Sequence, residues 1–172
     1  DFTHVYMGQE LAESTAALIP VMILVIGTLI FFLTRSWQQT LVTMGTMGVG
    51  FVWTLGALGW LEWPQDGMLE VLPILVVIVG VCDAVHLLSR YGVERRLHPS
   101  APSREALLAA AHDAGPACLI TTLTSAVAFA SFTASNLDTF IRFGVILPFG
   151  VVACLLLSFT LLPILIDRLP AG

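Results

Sequence analysis

Asp83 and His86 stand three residues apart inside a stretch otherwise composed to cross a membrane. The run from Val71 to Cys82 is unbroken apolar sequence, and it continues as Asp83-Ala-Val-His86-Leu-Leu-Ser-Arg90. An acidic side chain at the centre of a bilayer costs roughly 2.5–3.5 kcal/mol on insertion scales, and a chain that keeps one usually uses it for proton or ion handling. The spacing predicts that both groups share one face of a helix. A carboxyl and an imidazole so placed suit a proton relay, with the imidazole nearer the exit. The bland readings are a fixed structural carboxyl and a histidine anchored at the interface.

The elements that position this pair are apolar throughout. Hydrophobic residues make up 57% of the 172 positions, charged residues 11%, and mean hydropathy is +0.92. Those values lie outside the range of soluble globular chains. Five runs approach the roughly 20 residues that a helix needs to cross about 30 Å of hydrocarbon. They are Ser14–Thr34, Gln38–Leu61, Leu69–Ser89, Gly115–Ser135 and Phe143–Ile166. The predicted fold class is all-α: a polytopic bundle of five transmembrane helices forming a single domain over residues 1–172. The start, Asp1-Phe-Thr-His4, has neither Met nor a basic segment before a short apolar core, so it does not read as a signal peptide. It reads as an internal piece of a longer polypeptide.

Charge is distributed by side. Alternate ends of the spans gather Arg35, Arg90, Arg95, Arg96, Arg104 and Arg168 on one side. The other side holds Arg142 among Asp1, Glu10, Glu13, Glu62, Asp66, Glu70 and Asp138. Arginine excess marks the cytoplasmic side. The amino terminus and the 62–70 loop are therefore expected outside, and the 90–114 loop in the cytoplasm. Within that loop, Pro102–His112 reads as a cytoplasmic surface helix that stops at Gly115-Pro116. Trp60, Trp63 and Pro64–Gly67 read as an outer interfacial turn.

Span two carries Gly45, Gly48, Gly50, Gly56 and Gly59, which predicts close helix packing without a GxxxG motif. Span four is the most polar of the uncharged ones. Thr121, Ser125 and Ala128 fall on one helical face with Thr124 at its border, and Thr121, Thr122, Thr124 and Ser125 could hydrogen-bond the Asp83–His86 pair from the adjacent helix; ordinary packing is the alternative. Pro148 and Pro163 signal kinks or an end in span five. Cys82, Cys118 and Cys154 lie in or beside apolar spans and read as buried thiols, with no CxxC pattern. No metal spacing, phosphate loop, nucleophile elbow or nucleic-acid patch is visible. The expected function is therefore non-enzymatic, with no cofactor, metal or nucleic acid.

The segment Gly80–Tyr91 resembles the fourth transmembrane helix of the resistance-nodulation-division superfamily, with MMPL-type lipid exporters the nearest group. Gly115–Phe129 resembles the next helix of that superfamily, and Phe143–Pro163 the sixth. The resemblance covers nearly the whole chain and implies helices two to six of one half of a two-half transporter. It also implies a proton-driven exporter of hydrophobic or lipidic compounds in a bacterial inner membrane, with Asp83 as the protonatable coupling residue and His86 beside it. Implied partners are the bilayer, a hydrophobic or lipid substrate, and the second half and extracytoplasmic domains of the same polypeptide; an oligomer stays open. The bacterial assignment also fits seven arginines and no lysine, a usage typical of GC-rich genomes. Many relatives carry an acid where this chain has Cys82. The relay here would then be one carboxyl completed by His86 or by the second half, or the working acid lies in that half. The alternative function is a sterol-sensing-like module that binds lipid without moving it.

Overall fold

The computed structural model describes residues 20–61, 63 and 71–168. The start of the first expected span, the acidic amino-terminal segment and most of the 62–70 turn lie outside the described residues. Among the described residues six α-helices follow one another: α1 (Pro20–Thr34), α2 (Trp37–Trp60), α3 (Leu72–Leu97), α4 (Ser103–Ala130), α5 (Asp138–Phe159) and α6 (Leu161–Asp167), with a short 3-10 helix, Ser131–Ala134, between α4 and α5. No strand occurs among the described residues. With α5 and α6 forming one span, the protein is a helical membrane bundle.

Each boundary has a local cause. Thr34 Oγ1 donates to the Ile30 carbonyl at 3.0 Å as α1 ends, and Ser36 caps α2 by accepting from Gln39 N at 3.5 Å. Between them Arg35 takes a left-handed backbone, φ 50°. α3 begins with Pro73 in its first turn, where no intrahelical N–H bond is due. It closes on Arg95 and Arg96, whose charges complement the negative end of the helix. Pro163 lies in the first turn of α6, and the chain breaks at Thr160 just ahead of it.

Two expectations change here. The segment after Pro102 is helical, but it is not a separate surface helix ending at Gly115-Pro116. It runs straight into span four as the 28-residue α4, with Pro116 inside it. A proline within a membrane helix gives up one backbone bond, and the freed carbonyl can find another partner. α3 likewise continues past Arg90 to Leu97, so only residues 98–102 connect it to α4. Because α4 is about 42 Å long at 1.5 Å per residue, it overshoots the hydrocarbon. The two helices therefore project together as a hairpin. Tyr91 Oη and Ser103 Oγ share a hydrogen bond at 3.0 Å, Arg95 Nη1 donates to the Ala101 carbonyl at 2.9 Å, and Arg90 pairs with Asp113 at 3.4 Å.

α3 and α5 form the centre, each packed against the other and against both α2 and α4. Toward the arginine-rich end the core contains Ile30, Met47, Val81, Leu87, Tyr91, Leu107 and Leu162. Toward the other end it contains Leu58, Leu72, Val76, Phe143, Leu147 and Val151. At that end Arg142 lies over the Trp63 ring, 6.0 Å from its centroid. Close approach in the middle depends on glycine. A Cβ on Gly80 would fall 2.7 Å from Cys154 Cβ, and one on Gly150 2.6 Å from Val76 Cγ2. In α2 only Gly50 meets such a neighbour; Gly45, Gly48, Gly56 and Gly59 have open space around them, so the expected tight packing rests on one glycine of five.

Candidate functional site

Asp83 sits near the midpoint of α3 and is 4% exposed. α3 turns Val77, Val81, Ala84, Leu87 and Leu88 into the core, and Asp83 lies within that buried arc. Its partner comes from α4: Thr122 Oγ1 donates to Asp83 Oδ2 at 3.1 Å. Thr122 is 1% exposed and continues the inward line Ala106, Ala110, Ala114 and Cys118, one turn apart at each step. That line is what brings a hydroxyl to the carboxyl. Among the described residues no ion pair reaches Asp83.

The structure separates the other residues expected at this site. His86 is exposed and makes no hydrogen bond with Asp83, although the two are three residues apart. It lies with Ile78, Cys82 and Ser89 along the outward face of α3. Cys82 is thus exposed, contrary to the expectation of three buried thiols, while Cys118 and Cys154 are buried. The reason is angular: successive residues on a helix stand about 100° apart, and three steps leave about 60° between Asp83 and His86. That is enough to put one residue inside the contact and the other beyond its edge.

Of the four hydroxyls that could support the pair, only Thr122 bonds to Asp83 among the described residues. Thr121 is exposed and donates to the carbonyls of Ala117 and Cys118, at 3.1 and 3.0 Å. Thr124 is exposed and bonds to the carbonyls of Ile120 and Thr121, at 2.6 and 3.0 Å. Ser125 is half-buried and makes no bond to Asp83. The signal that could have singled out Thr122 was its four-residue register with Ala110, Ala114 and Cys118. No group of His, Cys, Asp or Glu that could hold a metal ion occurs among the described residues.

A buried carboxyl that accepts from the Thr122 hydroxyl, has the Cys118 thiol beside it and makes no ion pair among the described residues can exist in two protonation states, since the threonine hydroxyl can donate to a carboxylate or accept from a carboxylic acid. Fold and site together define a multi-pass helical membrane protein with a buried acid at an internal helix contact. The model of the MMPL family matches residues 5–169, and the chain belongs to that family. A protein of Methanocaldococcus jannaschii, described as a membrane protein, is 29% identical over 153 residues, which is 89% of this chain and 38% of that one. The chain thus spans well under half the length of this relative. No solved structure matches it.

Proposed function

We propose that this chain is one half of the membrane domain of a proton-driven exporter of hydrophobic or lipidic compounds, with Asp83 taking up and releasing the proton. The observation that carries this reading is a 4%-exposed carboxyl, in a membrane-spanning helix, held by the Thr122 hydroxyl with the Cys118 thiol beside it. Protonation then alters one well-defined helix contact, between α3 and α4. Membership of the MMPL family supports transport as the activity, and a relative more than twice as long supports a further half. The outward face of α3 that carries Ile78, Cys82 and His86 is the surface we assign to that half. In this arrangement His86 serves from the interface between halves. The arginine-rich end is assigned to the cytoplasm, and a bacterial inner membrane to the protein.

The test is reaction of the intact parent protein, in membranes, with a hydrophobic carbodiimide from about pH 5 to pH 9, read by mass spectrometry at Asp83. The reagent attacks protonated buried carboxyls, so no substrate need be known. Labelling that falls as the medium becomes alkaline, shifts on energisation and disappears in D83N is the expected result. Labelling that is flat or absent at every pH would overturn proton coupling through Asp83 and leave the lipid-binding module as the function.

A further inference from the structure

Where the α1–α2 turn meets the end of α3, the arginine-rich end encloses a cavity of about 670 Å³. Arg35 from the turn and Arg95 and Arg96 from the last turn of α3 line it. No Asp or Glu among the described residues does; Glu94 and Asp167, close by in sequence, are not on its wall. Arg95 gives one N–H to the Ala101 carbonyl, while the guanidinium groups of Arg35 and Arg96 meet no acceptor among the described residues. Arg35 is also the one described non-glycine residue at positive φ, a geometry that Gly, Asn or Asp adopts more readily.

Two further features shape what the cavity accepts. Trp37 and Gln38, the first residues of α2, are on its wall, and N–H groups in a first helical turn have no intrahelical acceptor. Such a terminus adds favourable potential for an anion. The deeper wall is apolar, with Leu88 and Ile166, and Trp37 is 65% exposed as befits an interfacial residue. A fully hydrated anion would leave that apolar wall unused. A group that joins a phosphate to a hydrocarbon chain matches both parts.

We propose that this cavity binds the phosphate of an anionic phospholipid drawn from the leaflet at the arginine-rich end. Arg35, Arg96 and the free donors of Arg95 take the phosphate oxygens, and the apolar wall takes the start of the acyl region. Basic pockets between membrane helices are known to hold lipid headgroups in this manner. The site lies apart from Asp83 and stands whether or not that residue couples to protons.

Native mass spectrometry of the full-length protein, released from detergent with phosphatidylglycerol or phosphatidylcholine added, tests this. Phosphatidylglycerol should be retained preferentially. Its retention should fall roughly fivefold in R35Q or R96Q and ten- to thirtyfold in the double variant, at about 1 kcal/mol per arginine near the surface. R104Q, a substitution of an exposed arginine outside the cavity, should retain the lipid as the wild type does. If the double variant fails to fold, the single variants decide. Equal retention of the two lipids, or equal loss in R104Q, would overturn the site. Displacement of the lipid by millimolar inorganic phosphate would overturn the lipid assignment in favour of a soluble phosphate compound.

Discussion

Thr122 Oγ1 lies 3.1 Å from Asp83 Oδ2, a side-chain hydrogen bond that joins α3 to α4 within the hydrophobic region. Both residues are buried, so the hydroxyl cannot be replaced by water without opening the helix contact. T122V keeps the shape of the side chain and removes the donor. We expect it to destabilise the full-length protein by about 1–3 kcal/mol, the cost of leaving a buried polar group unpaired, and to displace the carbodiimide-labelling profile of Asp83 along the pH axis. T122S should preserve both, and T121V and T124V should stay within about 0.5 kcal/mol of wild type. Thermal unfolding and labelling measured side by side check all four.

Cys154 separates the effects of two glycine substitutions. A Cβ on Gly50 meets Cys154 Sγ at 2.6 Å, whereas one on Gly80 meets Cys154 Cβ at 2.7 Å. C154A removes the sulfur and leaves the Cβ. G50A should therefore be rescued by C154A, and G80A should not be. Overpacking of this kind costs typically about 1–3 kcal/mol, and a double-mutant cycle on thermal stability reads the difference. G56A, with nothing within 4 Å of its added methyl, is the neutral control.

Ser158 Oγ is buried in α5 without a hydrogen-bond partner among the described residues. S158A deletes an unsatisfied polar group at little change in volume. The expected outcome is unchanged or raised stability, by up to about 1–3 kcal/mol. A clear loss in thermal unfolding would show that the hydroxyl has a partner in the intact protein.

Arg90 and Asp113 join α3 to α4 outside the buried region, at 3.4 Å and with both side chains 56% exposed. Pairs of this exposure contribute about 0–1 kcal/mol and weaken with salt. D113N should therefore shift stability little at low salt and less at high salt, in contrast to T122V, whose effect should be insensitive to salt.

Sequence patterns reached the number and class of the helices because length and continuous apolarity are local properties. Residues 103–112 were also legible as a helix from their composition, but their fusion with span four was not. Gly115-Pro116 is a stop signal in water, where a broken helix is readily solvated; in α4 the helix passes through it. The same limit applies at the site. Asp83 stood out because a lone acid in an apolar run is chemically conspicuous. Thr122 did not, because Thr121, Thr122, Thr124 and Ser125 offer nearly the same chemistry on several faces of one turn and a half.

By itself, then, the sequence determined that the chain crosses a membrane, which ends of its spans gather arginine, and that Asp83 is the group to explain. The tertiary structure decided which way each helix faces. It placed Asp83 and Thr122 inside, turned Cys82 and His86 outward, and brought Arg35 to Arg95 and Arg96 from segments about 60 residues apart in sequence. In water a helix announces its buried face by contrast with a polar one. In lipid the interior and the surroundings are both apolar, so composition around these helices carries little contrast, and rotation is set by which side chains fit at the contacts.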